Sequence, residues 1–171
     1  MSSPTRDRST RVAYDRQHRF MDKMDMLARM KADTIEEFGT VWQLPRERQF
    51  NTLQEIQLYC DVLLGSAAYR ARHPEGMPRV TVKAALSGRE SEGVYAHRAT
   101  MHRSVMELPI SSQSQRSPFF RELWVLHELA HHGGAGTHGD KWLDEYAWLV
   151  GNQMGEMFGM YFRIHMSTDQ T

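Results

Sequence analysis

Apolar residues recur at helical spacing through the first seventy positions. Over residues 11–38 the spacing of Phe20, Met24, Leu27, Met30 and Ile35 predicts one helix with a looser tail. After Gly39 and Pro45, residues 47–72 repeat the pattern with Phe50, Leu53, Ile56, Cys60, Leu63, Leu64 and Ala67, until His73-Pro74 forbids continuation. The texture then changes. RVTVKAAL (79–86) alternates β-branched with polar residues, SGRESEG offers turn chemistry, and residues 93–110 read as further strand, so two or three strands of a small, mainly antiparallel sheet are expected. A polar loop at 111–118 precedes a helix over 119–132, which breaks at Gly133-Gly134-Ala135-Gly136. One long final helix is predicted over 139–165, with Leu143, Ala147, Val150, Met154, Met157, Phe158 and Tyr161 facing a core. Gly151, Gly155 and Gly159 interrupt its surface every four residues and predict the close approach of another helix or strand. Helices, then strands, then helices give an α+β class.

Length and composition narrow the class further. A chain of 171 residues with 40% hydrophobic and 25% charged residues fits one globular domain over 11–171, comprising a helical region at 11–78 and a sheet with two helices at 79–171. Residues 1–10, rich in Ser, Thr, Arg and Pro, read as a disordered end. They contain no apolar run that could serve a secretory signal, and a cytoplasmic location and no membrane contact are expected. Net charge is zero, with basic segments at 1–31 and 70–103 alternating with acidic ones at 32–69 and 104–171. A solvated, salt-bridged surface accounts for that pattern, which leaves nucleic-acid contact a minor place. Cys60 is the single cysteine and falls in register with the apolar stripe, so it reads as a core thiol, and a thiolate-rich metal site is excluded.

The chemistry is concentrated in VLHELAHHGGAGTHGDKW, residues 125–142, which holds four of the nine histidines. His127 and His131 stand four apart, so on a helix both imidazoles project from one face and can meet one ion. Glu128 lies beside that face, where a carboxylate reaches an activated water without being a ligand. A hydrolytic zinc site needs a third protein ligand and an open fourth position. His132, His138, Asp140, Glu145 and Glu156 are the candidates. His132 is about 100° round the helix from His131 and should point elsewhere. A glycine-rich turn can bring His138 back over the first two, with Thr137 capping the final helix and Asp140 completing a capping box. His138 is preferred, with Glu145 as the rival.

VLHELAHH followed by HGDKW resembles the active-site segment of SprT-like zinc metalloproteases. The run from Gly93-Val94-Tyr95 through Glu107-Leu108-Pro109 to the HG pair is similar to a family of small metallohydrolases of actinobacteria and their phages, over about residues 93–161. The metzincin pattern HExxHxxGxxH fits only as far as Gly134, since its third histidine would fall on Thr137. The resemblance implies a zincin-like fold, Zn²⁺ on His127, His131 and His138, and Glu128 as the catalytic residue. The expected function is a zinc metallohydrolase, a peptidase acting on a peptide or protein substrate. A zinc-binding scaffold module and a DNA-associated protease are the alternatives. In zincins the substrate pairs with a sheet edge over the metal helix, and residues 101–108 are the candidate edge. Tyr146, Tyr161, Arg163 and His165 are undifferentiated as oxyanion donors. His97 and His102 read as half-exposed strand residues, and Trp124, Trp142 and Trp148 as core.

Overall fold

The computed structural model describes residues 8–85, 99–110, 117–133 and 137–167. Several expectations fall outside them: the disordered end up to residue 7, the turn at 87–93, the strand and His97 at 93–98, most of the polar loop, and the glycines at 134 and 136. The described residues are α+β, and they divide into two compact units, Met1–Arg46 with Gly134–Thr171, and Glu47–Gly133.

The first unit begins with α1 (Arg8–Arg29), whose inward face carries Ala13, Gln17, Phe20, Met21 and Leu27. The helix ends earlier than the spacing predicts. Lys31 takes a positive φ of 54° and the Ala32 N–H donates to the Leu27 carbonyl, a left-handed stop. The predicted helical tail is instead an antiparallel hairpin, β1 (Thr34–Glu37) and β2 (Thr40–Gln43). Its two-residue turn, Phe38-Gly39, has φ of 55° and 70°, the twist that a tight hairpin requires.

The predicted long final helix is two: α5 (Asp140–Met154) and α6 (Glu156–Ser167). Gly155 breaks it with φ of 108°, which a side chain resists. The two pieces then fold against each other at the glycines. A Cβ on Gly159 would lie 2.6 Å from the Gly151 Cα, so the expected close approach occurs between the two halves of the same segment. Phe20 packs edge-on to Phe162 at 5.1 Å, joining α1 to α6. Beside it, the Glu37 carboxylate accepts from Lys23 Nζ at 2.7 Å and from the Tyr161 hydroxyl at 2.6 Å.

In the second unit the predicted helix over 47–72 is also divided, into α2 (Leu53–Gly65) and α3 (Ala67–Arg72). Ser66 ends one and starts the other: its backbone is extended and its hydroxyl accepts from the Tyr69 N–H. Cys60 is buried as predicted, and burial pushes its thiol up to about 12, which makes it unreactive. The sheet contains β3 (Thr81–Ala85), β4 (Thr100–His102) and β5 (Val105–Pro109) in the order β3-β5-β4. It is mixed and not mainly antiparallel, because β3 runs parallel to β5 while β4 pairs antiparallel with it. Residues 101–108 are not one strand. Arg103 and Ser104, with φ of 46° and 65°, form a tight turn that, among the described residues, makes β5 central and leaves β4 outermost. Gln57 of α2 occupies the other side of the sheet, donating to the Val80 carbonyl and accepting from the Val82 N–H, both at 2.8 Å. Behind β4 packs α4 (Glu122–Gly133). Among the described residues no helix is long and apolar enough to cross a membrane.

Two outcomes follow for the first unit. Gly159→Ala meets backbone and should lower the unfolding free energy in urea by about 1–3 kcal/mol, whereas Gly65→Ala in the second unit meets nothing within 4 Å and should be neutral or stabilising. Acid should also weaken the Glu37 cluster. Burial alone would raise this carboxyl, but hydrogen bonds from Lys23 and Tyr161 outweigh it and hold it below its usual value. The stabilisation is present above the unfolded-state value near 4.5 and is lost as pH falls through the lower folded value. Glu37→Gln should flatten that acid limb in a thermal denaturation series.

Candidate metal centre

The helix that carries HELAH is buried along Glu122, Leu123, Trp124, Val125, Leu126, His127, Glu128, Leu129 and Ala130 without interruption. Such a helix is held by its surroundings on every side, and its start is pinned by polar groups far away in sequence. The Glu47 carboxylate accepts from the Leu123 N–H at 2.9 Å and pairs with the Arg121 guanidinium at 2.5 Å. That carboxylate caps free N–H groups in the first turn, where helix polarity favours negative charge. Glu122 in turn accepts from the Tyr59 hydroxyl at 2.7 Å and the Arg48 N–H at 3.0 Å. Phe50 N–H donates to the Phe120 carbonyl and Glu122 N–H to the Arg48 carbonyl, adding a short backbone strap. Glu47, Arg48, Tyr59 and Arg121 therefore aim the helix, and sequence reading singled out none of them. Their pairings span 63 to 76 positions, which no local pattern reveals.

Along this helix the rings of His127 and His131 lie 5.2 Å apart at 64°, on one face as their spacing predicts. His127 is buried against Trp124, ring centres 5.2 Å apart, while His131 is half-buried. His132 turns away, its Nε2 2.9 Å from the Pro78 carbonyl oxygen, also as predicted. Glu128 is 2% exposed, and its Oε1 has no hydrogen-bond partner among the described residues; His127 Nε2 lies 3.9 Å away, too long for a hydrogen bond. Burial pushes this carboxyl up to about 8.

His138 is held by aromatic contacts within its own unit. Trp142 of α5 meets its ring edge-on at 4.6 Å, and Tyr14 of α1 lies at 5.1 Å. The predicted Thr137 cap does not form. Gly139 is the N-cap of α5 and makes no side-chain cap bond, so the cap lies two residues after Thr137, the helix starts at Asp140, and the capping box is out of register. Among the described residues, His127, His131 and His138 are the group of side chains that could hold a metal ion, each offering one ring nitrogen. The rival Glu145 is buried in α5 but is not a member, and Asp140 and Glu156 are exposed.

The other expectations sort by contact. Tyr161 donates to Glu37, Arg163 pairs with Asp144 and His165 lies 3.4 Å from Glu37, so these three serve their own unit. Tyr146 is buried between Trp142 and Phe162. Trp124 and Trp142 are core as predicted, whereas Trp148 is only half-buried. His102 is exposed on β4.

No family model matches the chain, and no curated protein or solved structure matches it.

The pinned helix start is open to test. Glu47→Ala removes both the Arg121 partner and the Leu123 cap, and breaking a largely buried pair of this kind should cost about 3 kcal/mol in chemical denaturation. Arg121→Ala should show a similar loss, and the double variant should cost less than the sum of the two.

Proposed function

We propose that the protein is a zinc-dependent hydrolase of peptide or amide bonds, with His127, His131 and His138 as ligands and Glu128 as general base. The observation that carries this reading is the buried Glu128 carboxylate, whose Oε1 has no partner although it lies 3.9 Å from His127. An acceptor kept there without a donor is costly. A water held in front of it would supply the missing donor, and imidazole nitrogens on the same side supply the ligands that zinc prefers. Three neutral imidazoles leave the charge of a divalent ion uncompensated, so a neighbouring carboxylate is favoured in its ionised, proton-accepting form.

A divalent ion in this group supplies Lewis acidity, which makes water easier to deprotonate and a carbonyl easier to attack. Glu128 takes the proton from that water as its oxygen bonds to the carbonyl carbon. The same carboxyl then returns the proton to the leaving nitrogen as the C–N bond breaks. Buried surroundings hold Glu128 in one position through both transfers, and the pinned start of α4 keeps it in register with His127 and His131. On the near side, β4 is the outer strand of its sheet among the described residues and packs against α4, the position from which an extended peptide pairs with a sheet edge.

Metal analysis of the purified protein, with hydrolysis of a quenched-fluorescent peptide library, tests the proposal. One zinc per chain is expected. Glu128→Gln should retain it and lose at least a hundredfold in turnover. His138→Ala should lose most of the metal. Full occupancy in His138→Ala overturns the ligand set, and bound zinc with no hydrolysis of any library member by the parent makes the protein a metal-binding module without turnover.

A further inference from the structure

The hairpin of the first unit has an open edge. The Leu44 N–H donates to the Asp33 carbonyl, and Ile35 with Trp42 and Glu37 with Thr40 stand opposite each other along the same ladder. Bonded and non-bonded pairs alternate between antiparallel strands, so Val41 and Gln43 direct their N–H and C=O groups away from β1. Among the described residues no backbone hydrogen bond reaches these groups, and both residues are exposed, Val41 at 58%. Proteins guard such edges with charges, prolines or covering groups. In the second unit Gln57 covers the outer edge of β3, and on the hairpin β1 carries Glu36 and Glu37, whereas Thr40–Gln43 carries neither a charge nor a proline. Beside this edge runs α6. It packs against β2, with the Tyr161 ring 5.3 Å from that of Trp42. Met157 stands one turn before Tyr161 on the same side of α6, and Met160 is its neighbour on the helix surface. They are 50% and 53% exposed, an apolar shelf that adapts to what rests on it.

We propose that the β2 edge docks an extended segment of another protein, one with apolar side chains turned towards α6 and Lys or Arg alternating on the outer face. The inference stands apart from the hydrolase reading. Val41 and Gln43 offer two donors and two acceptors at strand spacing, which an extended backbone matches. Alternation then sets every second side chain of the guest on the face of Trp42, beside the methionines. Charge selects the other positions. The two strands contain two acids and no base. Glu37 is paired with Lys23, while Glu36 is exposed directly across from Val41, on the face where the outer side chains of the guest lie. A long basic side chain reaches over Val41 towards it. A second copy of the chain fits this edge less well. Pairing β2 with its counterpart sets the strands about 4.8 Å apart and brings together two α6 helices, whose axes need about 8–10 Å. A single extended segment brings no helix.

Fluorescence anisotropy on the full-length protein tests this, with Glu128→Gln in place so that no probe is cut. The labelled probes are acetylated, amidated hexapeptides: lysine alternating with valine, glutamate alternating with valine, lysine alternating with serine, and the lysine–valine peptide N-methylated at each lysine. The lysine–valine peptide should bind about tenfold tighter than its glutamate counterpart and tighter than the lysine–serine peptide. N-methylation removes the N–H groups that face β2 and should weaken binding about tenfold. Val41→Pro removes an outward N–H at an edge where proline is tolerated, and should weaken lysine–valine binding about tenfold with unchanged circular dichroism. If Val41→Pro does not fold, Glu36→Lys decides, and it should abolish the preference for lysine over glutamate. Equal binding of the lysine and glutamate peptides, binding that survives N-methylation, or binding indifferent to both variants overturns the proposal. So does a dimer in light scattering that Val41→Pro dissolves, which makes a second copy the occupant. None of these readouts needs metal or turnover, so they fail or succeed separately from the hydrolase reading.

Discussion

Burying an imidazole and a carboxylate on successive residues of one helix is the constraint on which the second unit is built. A carboxylate costs several kcal/mol to take out of water unpaired, more than a single ordinary hydrogen bond returns, and the Glu128 Oε1 has no hydrogen-bond partner among the described residues. His127 and Glu128 nevertheless sit at 0% and 2% exposure in the middle of nine buried residues. Apolar neighbours cannot offset that cost. A carboxyl pushed up to about 8 is one response, because a neutral acid is cheaper to bury than its anion. A bound cation is the other, and it uses the histidines as well. The second response would account for both residue types with one ion, and His127, His131 and His138 are a group that could hold one.

A helix asked to hold such groups needs a fixed axial position and rotation, since a slip of one residue would turn both side chains about 100° round the axis. The acids at its start provide the fixing. Glu47 binds the first turn through a backbone N–H and a guanidinium, and Glu122 is clasped by Tyr59 and Arg48. These bonds tie α4 to the segment just before α2, and β4 supports its flank. A helix braced from two directions keeps the side chains of one face in a fixed register.

Some of this was legible in the sequence and some could not be. The fourfold spacing of His127 and His131, the aim of His132 and the burial of Cys60 follow from helix geometry alone, and the structure agrees. The choice of His138 over Glu145 followed from zinc's preference for imidazole, and the histidine group contains His138. Element boundaries failed wherever the backbone turned left-handed without an Asn-Gly signal. Phe38-Gly39 and Arg103-Ser104 both make two-residue turns, yet only the first contains a glycine. Thr34, Ile35, Thr40 and Val41 around Phe38-Gly39 are the β-branched signal that marks the missed hairpin. Gly155 was read as a contact residue when its φ of 108° also makes it a helix break. Parallel pairing of β3 with β5, and the bonds from Glu47 to the metal helix, depend on chain returns that periodicity does not encode.

His138 is fixed without a helix cap. Thr137 makes no cap for α5, and Gly139 contributes no side chain. What holds the imidazole is contact with two aromatic rings, Trp142 one turn along α5 and Tyr14 on α1. Aromatic contacts of this kind contribute about 0.5–1.5 kcal/mol each beyond their burial, enough to select a rotamer but not enough to lock it. The imidazole is therefore oriented but keeps some freedom to rotate.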